Sequence, residues 1–265
     1  MAKPFLNLSV SSFLFSELIS RASGFIMMPH LWKGHSPGLG LGTSKPAEVP
    51  IMSVAHTFRP HRWKRLYPNE DWINELEGHE LDITIQIEAV DEQGKVHGRW
   101  PGQAVYFHER LDLVAIKGAS PDFTPELARL SADFDASGIL QTEFSVDETL
   151  QAPVSLFGCS VQNCGLANET YAAQKVDGKI THHSAFQVFT QTSQRLETGM
   201  CGGPVVDASG HLVGMLEGII NVVPPNAIAS PERDIQALVA GQGAAIRRNM
   251  IEGFLPLALK WSHAV

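Results

Sequence analysis

Short stretches in which apolar and polar residues alternate run along most of the chain, and this period of two is typical of β-strands with one buried face. The clearest is L-D-I-T-I-Q-I-E-A-V at residues 81–90, followed by the turn-forming run D-E-Q-G. Further strands are predicted at residues 5–15, 24–28, 49–54, 103–107, 113–117, 154–159, 170–176 and 186–192 and on both sides of Cys201. Asp177-Gly178 predicts a tight hairpin turn after one of them. The pattern therefore predicts a mostly β protein.

Helical signals are few and lie between or after the strands. Helices are predicted at residues 70–76, at 121–134, where a linker is the alternative, at 230–240 and at 244–261. The third begins at Ser230-Pro231, an N-cap serine followed by the proline that is favoured at the first helical position. The fourth is interrupted by Gly253 and Pro256. Residues 29–48 are rich in glycine and proline and predict a long loop.

Composition is that of an ordinary globular protein, with 44% hydrophobic and 18% charged residues in a chain of 265. This length suffices for one large domain or two closely packed barrels. The net charge of −8 argues against nucleic acid and anionic membranes as partners, because both attract basic surfaces. No stretch approaches the ~20 apolar residues that span a bilayer. Polar residues interrupt residues 5–19, so they predict a first strand and not a signal peptide.

Three cysteines are present, and two of them, Cys159 and Cys164, stand five positions apart. They could form one local disulfide, bind zinc together with His182 and His183, or remain reduced. The last is favoured, because two cysteines and a histidine pair of unknown position are a weak zinc signal. Reduced thiols persist in reducing compartments, so we expect a cytoplasmic protein without a metal or other cofactor.

Candidate chemistry is concentrated at residues 199–206, which read Gly-Met-Cys-Gly-Gly-Pro-Val-Val. Glycines allow a tight turn whose backbone N–H groups converge, and a thiolate at such a turn can attack a carbonyl group held there. A nucleophilic Cys201 needs a base and a residue that orients it. His56 directly follows the apolar stretch 49–54 and is the candidate base. Asp112, before the apolar run 113–116, is the candidate partner, and Asp82 is the alternative.

The order His, Asp and then G-x-C-G-G-P-V resembles the chymotrypsin/trypsin-like (PA clan) peptidases. Residues 23–27, S-G-F-I-M, resemble the strand that opens many of these domains. Residues 205–215 resemble the hairpin after the nucleophile. The match of residues 112–117 to the family's D-L-A-L-L pattern favours Asp112 over Asp82, which stands in a half-exposed strand.

The resemblance implies an all-β fold of two antiparallel β-barrels with a C-terminal helix. The first barrel, with the histidine and the aspartate, would span residues 1–120, and residues 121–137 would connect it to the second. The second barrel, with the cysteine, would span residues 138–229. A helical segment would follow at residues 230–265.

Two departures from secreted trypsins bear on mechanism. Cys201 replaces the usual serine, as in the cysteine proteases of picornavirus-type viruses. Met200 stands where secreted trypsins carry an aspartate that pairs with a newly cut N-terminus, and methionine cannot form that pair. We therefore expect no activation by N-terminal cleavage. The disulfide framework of those enzymes is also missing.

The function implied is that of a cysteine endopeptidase. His56 would take the proton of Cys201, Asp112 would orient the imidazole, and the N–H groups of Gly199 and Cys201 would form the oxyanion hole. A peptide or protein substrate would bind as an extended strand along Leu216, Glu217 and Gly218, which the sequence places directly after the hairpin. Leucine at position 216, where virus-type relatives place a histidine, favours an apolar preference. Two alternatives stay open, a catalytically inactive peptide-binding module and an acyltransferase that uses the same triad.

Overall fold

The computed structural model describes residues 3–27, 50–66, 73, 76, 79, 82–146, 148–162, 170–220 and 238–262. Strands dominate these residues: β1 (Leu6–Leu14), β2 (Glu17–Met27), β3 (Ile51–Ser53), β4 (Ile83–Asp91), β5 (Val96–Phe107), β6 (Val114–Gly118), β7 (Leu140–Gln141), β8 (Pro153–Gln162), β9 (Thr170–His183), β10 (Gln187–Thr192), β11 (Pro204–Asp207), β12 (Leu212–Ile219) and β13 (Gly243–Arg247). Two α-helices accompany them, α1 (Phe123–Asp133) and α2 (Arg248–Ser262).

The first barrel is formed by six antiparallel strands in the order β1-β4-β5-β6-β3-β2, and the pairing of β1 with β2 closes it. The short β7 adds to β2 in parallel. Alternate residues point inward, so Leu8 and Val10 of β1 are fully buried together with Ile87 and Ile116. The helix predicted at residues 121–134 is present as α1, which covers one end of this core with Phe123 and Leu127.

The second barrel is closed by six strands in the order β10-β13-β12-β11-β8-β9. Leu156, Val188, Val205 and Val213 lie in its core. The prediction of an all-β double barrel with a C-terminal helix is confirmed. None of the helices in the described ranges is long and apolar enough to cross a membrane.

A third apolar cluster joins the two barrels to α2. It contains Phe25 and Leu113 from the first barrel, Met215 from the second, and Phe254 from α2. Cys201 packs against this cluster while keeping part of its surface accessible. The seam between the barrels therefore carries the candidate nucleophile.

The hairpin predicted at Asp177-Gly178 is wrong, because β9 runs straight through both residues. Gly178 pairs with Val154 of β8 on one side and with Thr192 of β10 on the other. A Cβ atom at Gly178 would lie 2.7 Å from the Gln191 carbonyl oxygen, so glycine allows the backbones to approach closely here. Close approach, and not a turn, explains this glycine.

The helix predicted at residues 244–261 begins four residues late. Residues 243–247 form β13, which pairs with both β10 and β12 and closes the second barrel. This strand lies beyond residue 229, where we expected that barrel to end. From Arg248 the helix is continuous, since Gly253 and Pro256 lie on its exposed face while Ile251 and Phe254 are buried. The helices predicted at 70–76 and 230–240 and the loop predicted at 29–48 fall wholly or largely outside the described residues.

Candidate active site

His56 lies in a single 3₁₀ turn, Ala55–Thr57, directly after β3 ends. Asp112 holds it at two points. The backbone N–H of His56 donates to Asp112 Oδ1 over 2.8 Å, and His56 Nδ1 lies 2.5 Å from Asp112 Oδ2. Cys201 is close enough to His56 to help raise its pKa, and because Nδ1 faces the carboxylate, Nε2 is the ring nitrogen left for Cys201. The structure thus brings the three predicted residues together, with His56 between Asp112 and Cys201.

Asp112 is 1% exposed and stands just before β6. The chain turns just before Asp112, and in this turn His108 Nδ1 accepts hydrogen bonds from the N–H groups of Arg110 and Leu111. The alternative, Asp82, lies elsewhere. Its side chain is 51% exposed, and its carboxylate is 3.2 Å from His79 Nδ1.

Burial and neighbouring groups shift the pKa of His56 in opposite directions. Burial by itself lowers its pKa, because burial disfavours the charged imidazolium. The side-chain interactions with Asp112 and Cys201 and the negative charge of Asp112 outweigh burial and raise the pKa of His56 from 6.5 to about 10. At neutral pH the imidazole that faces Cys201 therefore carries a positive charge.

The segment 198–203, which we call the nucleophile loop, directs its carbonyl groups into the protein. The Thr198 carbonyl accepts a hydrogen bond from the Val161 N–H of β8 over 3.1 Å. The Gly199 carbonyl accepts two, from Ser23 Oγ at 2.9 Å and from the Tyr171 hydroxyl at 3.1 Å. Both peptide groups are therefore fixed in orientation, since a peptide is planar and its N–H points opposite to its carbonyl.

The next two carbonyls of the loop are also bonded. The Met200 carbonyl accepts from the Gly203 N–H over 3.1 Å, and the Cys201 carbonyl accepts from the Ser23 N–H over 2.7 Å. The Met200 side chain is fully buried in the core of the second barrel. Apolar packing therefore fills the position at which secreted trypsins carry a charge.

The N–H groups of residues 199–203 fall into two sets. Those of Met200, Gly202 and Gly203 donate to carbonyl oxygens. Those of Gly199 and Cys201 donate to no carbonyl in the part of the chain that the structure describes. They are the same two groups that the sequence predicted for an oxyanion hole.

The glycines of the motif are required by the backbone conformation and by the lack of room for a side chain. Gly199 and Gly202 have φ angles of +100° and +87°, which disfavour any other residue. A Cβ atom at Gly202 would lie 2.2 Å from the Ser23 carbonyl oxygen, and one at Gly203 would lie 1.8 Å from that of Phe157. The loop fits against both barrels only without side chains at these positions.

The three residues predicted to bind substrate have different surroundings. The Leu216 side chain is buried in the second barrel, and its carbonyl accepts from the Gly202 N–H over 2.7 Å. Glu217 lies at a bulge in β12 and accepts a hydrogen bond from Gln187 Nε2. Gly218 is open, with no atom within 4 Å of a Cβ placed on it. Leu216 therefore supports the loop from behind, while Glu217 and Gly218 reach the surface.

The Cys159 thiol does not belong to this site. Cys159 is a free, fully buried thiol on β8, and burial raises its pKa far above the ordinary value. Cys164 lies outside the described residues. Within the described ranges, no group of three or more His, Cys, Asp or Glu residues could hold a metal ion.

Ser23 and Tyr171 are the two loop partners that sequence reasoning missed. Ser23 belongs to the strand motif at residues 23–27, where a buried serine among apolar residues was the available signal. Tyr171 comes from the start of β9, and no sequence motif marks it.

Comparison with known proteins finds a similar fold. No family model and no curated protein matches the sequence. The crystal structure of the serine endoprotease from Yersinia pestis is similar, with a TM-score of 0.52, 14% sequence identity, and coverage of 98% of this chain and 64% of that chain. The chain thus spans less than two thirds of that protein's length. The likeness shows a chymotrypsin/trypsin-like double barrel.

Proposed function

We propose that the protein is a cysteine endopeptidase that hydrolyses peptide bonds through Cys201, His56 and Asp112. The observation that carries the proposal is the buried His56–Asp112 pair with Cys201 beside the imidazole, where Cys201 helps to raise the pKa of His56. It lies beside two loop N–H groups that no carbonyl of the described chain accepts. A nucleophile, a base with its orienting group, and oxyanion donors are the parts that acyl transfer needs.

The first half of the reaction starts from a Cys201 thiolate paired with the His56 imidazolium. The sulfur attacks the carbonyl carbon of the peptide bond, and the carbonyl π electrons move to the oxygen. The N–H groups of Gly199 and Cys201 stabilise that oxyanion, an effect worth about 100- to 1000-fold in rate for one such donor. His56 then gives its proton to the leaving amine, which leaves a thioester on Cys201.

In the second half, neutral His56 takes a proton from a water molecule that attacks the thioester. The oxyanion forms again at the same two N–H groups, and its collapse expels the Cys201 thiolate and releases the acid product. Asp112 keeps Nδ1 protonated and the ring in place throughout, as in the serine triad. The substrate would lie as an extended strand along Glu217 and Gly218, which β12 presents at the surface.

The test compares Cys201→Ala with Cys159→Ala, measured by cleavage of a fluorescent casein and of a mixed peptide library. We expect Cys201→Ala to abolish cleavage and Cys159→Ala to preserve it, because the Cys159 thiol lies in a buried apolar cluster and the bond of Cys159 to Ser23 uses its backbone N–H. Iodoacetamide at mildly acidic pH should label Cys201 selectively, since ordinary thiols react slowly there. Equal cleavage by both variants, or labelling of Cys201 no faster than of free cysteine, would contradict the proposal.

A further inference from the structure

Ser23 of the first barrel forms hydrogen bonds with the nucleophile loop at two places. The Ser23 hydroxyl donates to the Gly199 carbonyl over 2.9 Å, and the Ser23 N–H donates to the Cys201 carbonyl over 2.7 Å. These carbonyls stand on either side of Met200. Ser23 therefore holds the two peptide groups that directly follow Gly199 and Cys201, the residues whose N–H groups are the proposed oxyanion donors.

The second barrel holds the same carbonyl from the other side. The Tyr171 hydroxyl donates to the Gly199 carbonyl over 3.1 Å, and a Cβ at Gly199 would lie 2.5 Å from that hydroxyl. Burial raises the pKa of Tyr171 well above its usual value, so the group stays a neutral donor. One carbonyl oxygen thus receives a hydroxyl from each barrel.

The direction of the Ser23 proton is determined by its neighbour. The Cys159 N–H of β8 donates to Ser23 Oγ over 2.7 Å, so the hydroxyl accepts there and points its own hydrogen at Gly199. The Ser23 carbonyl in turn accepts from Ser53 Oγ over 2.7 Å. All these atoms are buried, where an unpaired polar group is costly. Rotation of the Gly199–Met200 peptide would leave two hydroxyls without their acceptor.

We propose that Ser23 and Tyr171 are positioning residues that hold the nucleophile loop in its oxyanion-binding conformation. This inference rests on the proposed peptidase function. Neither hydroxyl contacts the thiol or the imidazole, so both act through the loop alone. Their loss should weaken stabilisation of the oxyanion and leave the Cys201–His56 pair unchanged.

The experiment separates the two effects in Ser23→Ala and Tyr171→Phe, each of which removes one hydroxyl. We expect kcat for casein-derived peptides to fall about 100-fold in each, the size of effect that small misplacement of a catalytic group causes. Affinity for a peptide aldehyde, whose adduct with Cys201 carries an oxyanion, should fall in parallel. The rate of alkylation of Cys201 by iodoacetamide, which needs no oxyanion hole, should stay at the wild-type value.

The matched control is Ser145→Ala, since this buried serine donates to Asp207 Oδ2 and not to the loop. It should change neither kcat nor alkylation. If Ser23→Ala does not fold, Tyr171→Phe decides, because it keeps the ring and its contact with Arg21. Wild-type kcat in a folded variant, or equal loss of kcat and alkylation, overturns the proposal. A wild-type protein that cleaves no peptide overturns the peptidase function and this inference together.

Discussion

The two barrels contribute to the site in different ways. The first supplies charged side chains, because Asp112 binds both the backbone and the ring of His56 in a buried position. The second supplies backbone, because the nucleophile loop is held by carbonyl hydrogen bonds and by glycines without room for a side chain.

This difference separates two kinds of vulnerability. A charge in a buried site depends on its partner, so exchanging one atom of Asp112 should change the chemistry and preserve the fold. A backbone loop packed between barrels depends on empty space, so adding one methyl group should break the fold and the chemistry together. The predictions below test that division.

The largest effect is expected from Gly203→Ala. Its Cβ would lie 1.8 Å from the Phe157 carbonyl oxygen, a backbone atom that cannot rotate away. We expect the free energy of unfolding to fall by more than about 4 kcal/mol, with loss of all cleavage. Urea titration followed by tryptophan fluorescence measures it.

The control for that variant is Gly210→Ala. Gly210 has a φ of +82° but no atom within 4 Å of a Cβ, so strain is its only cost, about 1 kcal/mol. A similar loss of stability in the two variants would show that contact between loop and barrel is not what makes Gly203 necessary.

The next effect is expected from Asp112→Asn, which keeps the shape of the side chain and removes its charge. We expect kcat/KM to fall about 10⁴-fold, the loss seen for the same change in a serine triad. The urea midpoint should change far less than in Gly203→Ala. A variant with near-wild-type activity would mean that Asp112 does not orient His56.

A smaller effect is expected on the pH dependence. Because the pKa of His56 is raised to about 10, the imidazolium persists through neutral pH and is lost as the pH rises through that value. Cleavage, which needs this proton for the leaving amine, should decline with an alkaline limb near pH 10. Iodoacetamide alkylation should not decline there, since a thiolate remains reactive.

The same measurement on Asp112→Asn sharpens the assignment. The hydrogen bond and charge of Asp112 raise the pKa of His56, so their loss should move the alkaline limb to lower pH. The limb of Gly210→Ala should stay in place. An unmoved limb in Asp112→Asn would assign the titration to another group.

The smallest effect is expected from removal of the residues ahead of Phe5. The anchors of the nucleophile loop are internal, from Ser23, Val161 and Tyr171, and buried Met200 needs no charged partner. Rates of cleavage by intact and trimmed protein should agree. A large gain on trimming would reveal an activation step that involves the N-terminus.

The sequence alone predicted the site residues that stand in recognisable short motifs. Cys201 stands in a glycine motif, and His56 follows an apolar strand, so both could be predicted from their immediate neighbours. Asp112 was distinguished from Asp82 by the resemblance of residues 112–117 to a family pattern, and the structure places Asp112 against His56.

The contacts between distant segments could not be reached in this way. Tyr171 meets Gly199 only because β8 and β9 pair along their whole length, which the apparent turn at Asp177-Gly178 concealed. Likewise, the sequence that forms β13 and α2 predicted a single helix. Its first residues form a strand because two edge strands of an open barrel need a partner.

The late position of β13 has a consequence for synthesis of the chain. The six strands of the first barrel are complete at Gly118, whereas the second barrel stays open until Gly243–Arg247 has been made. N-terminal units fold first as a chain leaves the ribosome. We therefore expect His56 and Asp112 to be in place early, while Cys201 waits for the last strand. A nascent chain should therefore be unable to perform the proposed cleavage until residues 243–247 have been made and paired with β10 and β12.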